Sequence, residues 1–125
     1  MGINSTEVSY GFGQLGSIFS DTTTTPMTPP TGKVFVAIHF LEATNLASSG
    51  GLVAQNDVTN GIEYAGTTTA AHDAALSPDL GESGTGGTVI DVSNSIPAGT
   101  IIYGRYTQVK ASAYKMIIAY IGQKC

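Results

Sequence analysis

Apolar side chains recur at every second position over three long stretches of this chain, a period that predicts β-strands rather than helices. In residues 101–109, Ile101, Tyr103, Arg105, Thr107 and Val109 fall on one face and Ile102, Gly104, Tyr106 and Gln108 on the other. In residues 114–121, Tyr114, Met116, Ile118 and Tyr120 oppose Lys115, Ile117, Ala119 and Ile121. Residues 33–43 repeat the pattern, with Val34, Val36, Ile38 and Phe40 set against Phe35, Ala37, His39 and Leu41. Both faces of each run carry apolar groups, so these strands are expected to be covered on two sides. The link Lys110-Ala111-Ser112-Ala113 is short enough to predict an antiparallel hairpin between the last two runs. Upstream, Pro97-Ala98-Gly99 predicts a tight turn, proline fixing one φ and glycine taking a positive one.

Elsewhere the pattern is broken by turn formers. Residues 1–20 read as an N-terminal arm or edge strand, with Gly11, Gly13 and Gly16 between Tyr10, Phe12, Leu15, Ile18 and Phe19. Those five large side chains would want a partner surface. Residues 21–32 form a Thr/Pro loop, where Pro26, Pro29 and Pro30 block both a helix and a central strand. From residue 44 to residue 88 short apolar pieces, Leu52-Val53-Ala54 and Ile62-Glu63-Tyr64, lie between Gly, Ser and Asn turns. A brief helical turn is expected at 67–75 and an exposed loop at 77–87. Seven or so short strands with no strong helix predict an all-β fold: one antiparallel β-sandwich or jelly-roll domain over residues 33–125, preceded by a Gly-rich N-terminal arm.

Composition sharpens this picture. At 125 residues the chain is sized for one core, and 42% hydrophobic residues suffice to fill it. Charged residues make up only 11%, against ~25% in ordinary soluble domains, so much of the surface must be Ser, Thr, Gly and Asn or be covered by other subunits. Net charge is −4, and Lys33, Arg105, Lys110, Lys115 and Lys124 form no basic cluster, so no nucleic-acid partner is expected. No apolar run reaches membrane-spanning length and no signal-peptide pattern opens the chain, so no membrane role is expected. A myristoylation-like start (Met1-Gly2, Thr6) and a glycosylation triplet (Asn4-Ser5-Thr6) lack any targeting context. Cys125 is the single cysteine, so no internal disulfide can form.

The chain is poor in catalytic apparatus. His39 lies mid-strand between Ile38 and Phe40, and His72 precedes Asp73 in a loop; the two make no zinc site without cysteines. Gly11, Gly13 and Gly16 match a dinucleotide-binding spacing, but Thr22 to Pro26 follow where a helix would be needed. The glycines of residues 81–87 have no Lys-Ser/Thr after them, and no Gly-x-Ser-x-Gly elbow occurs. Asn56, Asp57, Asn60 and Glu63 could offer oxygens to calcium, though their spacing fits no calcium loop. The reading is therefore a non-enzyme with no cofactor and no metal. Arg105 is the charge that stands out, central in its strand, and a carboxylate partner is expected from Asp91 or Glu42, within the chain or across subunits.

Three segments carry a resemblance. Residues 10–17 (YGFGQLGS), 32–38 (GKVFVAI) and 96–107 (IPAGTIIYGRYT) resemble small virion structural proteins of marine tailed bacteriophages, cyanophages especially. The last is the most specific, and residues 44–87 carry none of the likeness. The resemblance implies a capsid decoration or cement protein on the capsid surface of the virion. Its partners would be the major capsid protein and itself, with trimers preferred because shells offer local threefold sites. The arm residues Tyr10, Phe12, Leu15, Ile18 and Phe19 would then contact the capsid, and Tyr103, Arg105, Tyr106 and Tyr120 would build the oligomer or core pairing. The alternative is a tail or fibre component with a receptor- or glycan-binding surface near Tyr64, weakened by the absence of tryptophan.

Overall fold

A computed structural model describes residues 15–22, 24–57, 60–68, 70–72 and 84–123. Seven strands form among the described residues: β1 (Ser17–Ser20), β2 (Lys33–Phe40), β3 (Thr44–Asn45), β4 (Leu52–Ala54), β5 (Ser95–Ile96), β6 (Ile101–Val109) and β7 (Ile117–Gln123). They build one five-stranded sheet in the order β1-β7-β2-β6-β4 and a two-stranded ribbon of β3 with β5. Every pairing is antiparallel, and no α-helix occurs among the described residues. The all-β, sandwich-like class expected from the period-two pattern is what the chain adopts.

The expected hairpin of the last two runs does not form. β2 lies between β6 and β7 and pairs antiparallel with both, so β6 and β7 run in the same direction. Their link is longer than the four residues expected, because β7 starts at Ile117 rather than at Tyr114. Residues 110–116 travel back along the sheet, tied down on the way. Ala47 N–H donates to Lys110 O (2.9 Å), Ser112 N–H donates to Asn45 O (2.8 Å), and Ala111 bridges Leu46. Period-two patterning reports that a strand exists, and it is silent on which strand lies beside it.

The core lies on one side of this sheet. Phe35, Ile38, Phe40, Tyr106, Val109, Ile117, Ala119 and Ile121 point inward and meet Leu46, Ile96 and Ala111 from the second layer. The Thr/Pro loop is pinned here too: Met27 and Val109 exchange backbone hydrogen bonds of 2.8 and 3.0 Å, and Met27 is buried. Alternation fails inside β6. Tyr106 and Val109 share the core although the simple period sets them on opposite faces, because the register against β4 shifts between Val53 and Ala54. A second shift, between Phe35 and Ala37, re-aims β2.

The Pro97-Ala98-Gly99 turn forms as expected. Gly99 has φ of 85° and Thr100 N–H donates to Pro97 O at 3.3 Å, while Gly99 N–H also donates to Phe40 O at 2.7 Å. A Cβ at Gly99 would meet open space. Gly99→Ala should therefore cost only the conformational term, about 1 kcal/mol. Equilibrium urea unfolding should show a lower midpoint with an unchanged slope.

Candidate functional site

The polar groups that sequence reasoning singled out are occupied within the fold. Asp57 accepts from Asn60 through both its backbone N–H (3.3 Å) and its side-chain amide (2.7 Å). Asn56 Oδ1 accepts from Tyr64 N–H, and Glu63 Oε1 accepts from His72 N–H. These four residues thus close their own loop, and no cluster of three metal-ligating side chains occurs among the described residues. His72 has a φ of 59° and its Nε2 accepts from Glu63 N–H at 3.3 Å, so it clasps two loop segments together. The described part of 67–75 contains no helical turn. Thr67 instead bonds the backbone of Leu52 through its N–H and its hydroxyl.

Arg105 does not turn to either expected carboxylate. Its Nη2 donates to Gln123 O at 2.6 Å and its Nε to Gln55 Oε1 at 3.3 Å. Glu42 lies 3.9 Å from Lys115 Nζ and accepts from Met116 N–H. Asp91 accepts from the Ser93 hydroxyl and then from the Ser93 N–H, bonds that hold its carboxyl below the usual range. Among the described residues, the Gln55 amide and the Gln123 carbonyl accept from the guanidinium, and neither Asp91 nor Glu42 does. Tyr106 is fully enclosed. Its hydroxyl donates to Ala65 O at 2.7 Å, and burial, followed by the neighbouring Tyr64, pushes its pKa up to about 12. Beside that pair lies an open groove of about 70 Å³ lined by Leu52, Val53, Asn56 and Tyr64. It is well short of the ~300 Å³ at which ligand pockets begin.

The feature left is the outer side of the five-stranded sheet. Residues paired across neighbouring strands point the same way, so the registers define two rows. One runs Phe19–Ile118–His39–Ile101, and the other Ser17–Tyr120–Ala37–Tyr103. Their cover is uneven among the described residues: Ala37, in the second row, is only 2% exposed. Phe19 is 54% exposed, Tyr103 59% and Ile101 40%, while Ile118, His39 and Tyr120 are half-buried. The expectation of cover on both sides holds for β2, whose outward Val34 and Ala37 are buried, and fails for β6.

No protein-family model, curated protein or solved structure matches this chain.

Of the expected contact residues, Tyr10 and Phe12 lie outside the described residues. Leu15 is exposed just ahead of β1. Ile18 packs inward against the core, and its neighbour Phe19 points out. The fold brings Phe19, Tyr103 and Tyr120 onto one surface, leaves Arg105 at its margin, and withdraws Tyr106 into the core. His39, Ile101 and Ile118 join that surface without having been singled out. Only the strand order, which local pattern does not encode, could have found them.

Proposed function

We propose that this chain is a non-enzymatic virion structural protein, a decoration or cement protein that binds the head shell of a tailed phage through its major capsid protein. The observation that carries the reading is the exposed apolar patch of Phe19, Ile101 and Tyr103 on the outer side of the sheet, on a domain with only 11% charged residues. Contiguous exposed apolar surface of this kind marks contact with another protein. The resemblance adds support: two of its segments, 32–38 and 96–107, fall on β2 and β6, neighbours at the centre of the sheet. Each bound copy would bury surface across the joints between shell subunits and so oppose outward pressure from packaged DNA. The N-terminal arm supplies the capsid contact, and the domain associates with itself.

Ser17–Ser20 pair with β7 and Ile18 packs on the core, so an arm deletion should stop before β1. Removing residues 2–14 should abolish co-sedimentation with purified heads and leave the melting temperature within a few degrees of the full chain. Undiminished head binding by that deletion would sink the arm's role.

A further inference from the structure

We propose that the outer face of the five-stranded sheet is a self-association surface that stacks on the same face of a second copy. The proposal rests on the shell-protein reading for its purpose, but its geometry stands apart from it. In the two outward rows, Phe19, Ile118, Ile101, Tyr120 and Tyr103 surround His39, and none of the described carboxylates occupies a position in either row. A chain with net charge −4 repels its own copy over most of its surface. Two copies meet at least electrostatic cost where carboxylates are absent, and the two rows present apolar and aromatic side chains around His39, with Arg105 at their margin. Two sheet faces also have a ready way to stack, at a separation of ~10 Å with side chains from the two faces interleaved.

Area sets the strength of such a contact. Four strands at ~4.8 Å spacing and about seven residues at ~3.3 Å each give roughly 450 Å² a side. The pair would bury at most about 900 Å², because Val34 and Ala37 are already buried, and this is below the ~1,000 Å² that a stable interface clears, so the contact is a weak one. Such a contact is concentration-dependent, formed when copies are crowded on a shell and open when they are dilute. One sheet face stacks on one other face, so the proposal is a pair rather than the trimer that local threefold shell sites would select.

Sedimentation equilibrium over a concentration series tests this on the full chain. Wild type should move from monomer to dimer. Tyr103→Glu and Phe19→Glu each enter the interface twice, once from each copy, and should weaken association about a hundredfold or more. Both positions are more than half exposed, so the melting temperature should hold, and Tyr103→Ser serves where the charge disturbs folding. Val92→Glu, on the exposed turn before β5, should leave association unchanged. A monomeric wild type, a trimer, a dimer indifferent to the two glutamates, or one broken by Val92→Glu overturns the proposal. A monomer that still decorates heads would remove this inference and spare the shell reading; a dimer that leaves heads bare would do the reverse.

Discussion

Tyr106→Ala should destabilise the domain by about 3–5 kcal/mol, the range for removing a large aromatic side chain from a packed core. Tyr106 is 1% exposed at the centre of the sheet, paired with Phe35 on β2 and with Ala54 on β4. Its ring stands 6.2 Å from that of Tyr64 at 58°. It also lies over Gly104, where a Cβ would come within 2.7 Å of the ring, so no other residue type leaves it room. Tyr106→Phe separates the ring from the hydroxyl. It should cost about 1–2 kcal/mol, because the bond to Ala65 O is lost and that carbonyl is left without its donor. The hydroxyl also ties stability to alkaline pH. The folded state holds the phenol proton up to about pH 12, whereas an unfolded tyrosine releases it near ~10. The extra stability is therefore full below about pH 10 and is lost as pH rises from there to about 12, at about 1.4 kcal/mol per unit. Tyr106→Phe lacks this dependence. Its deficit relative to wild type, measured by urea unfolding, should vanish within that window and change sign towards its upper end.

Gly51→Ala should cost about 2 kcal/mol or more, although the backbone at Gly51 lies outside the left-handed region and alanine can adopt it. The obstacle is space. A Cβ there would press into the carbonyl oxygen of Ala47 and lie 2.8 Å from its nitrogen and 3.0 Å from Leu46 Cβ. These atoms are held from several directions. Lys110 N–H donates to Gly51 O at 2.8 Å, Ala47 N–H donates to Lys110 O at 2.9 Å, and Leu46 is fully buried. Any shift must move the junction of β4, the second layer and the end of β6 together. The gain of about 0.4–1 kcal/mol from a stiffer unfolded chain is too small to offset this. A thermal melt checks it: Gly51→Ala should fall further than Gly99→Ala, whose cost is conformational alone.

Local chemistry was legible in the sequence and neighbourhood was not. β2 and β6 were visible from alternation, β4 from Leu52-Val53-Ala54 between turn formers, and the turn at Gly99 from its proline and glycine. The insertion of β2 between β6 and β7 was hidden, because it depends on where residues 110–116 anchor on residues 45–47, a contact far apart in sequence. The phase change that sends both Tyr106 and Val109 inward was hidden for the same reason, a shift defined only against β4. Outside β3 and β4, the described parts of 44–94 are held by scattered polar links, such as Asn45 Nδ2 to Val92 O and Thr67 to Leu52, which leave no periodic signature. The outward surface combines both cases. Phe19, Tyr103 and Tyr120 were marked as contact residues, yet their gathering around His39 follows from strand order alone.

The central claim is that this chain tiles a shell, and stoichiometry tests it most directly. Quantitative mass spectrometry of purified particles gives the molar ratio of this protein to the major capsid protein. A ratio near one, or a simple fraction of it, is the result the account predicts. A few copies per particle would move the protein to the tail or a vertex, and its absence from particles would contradict the account outright.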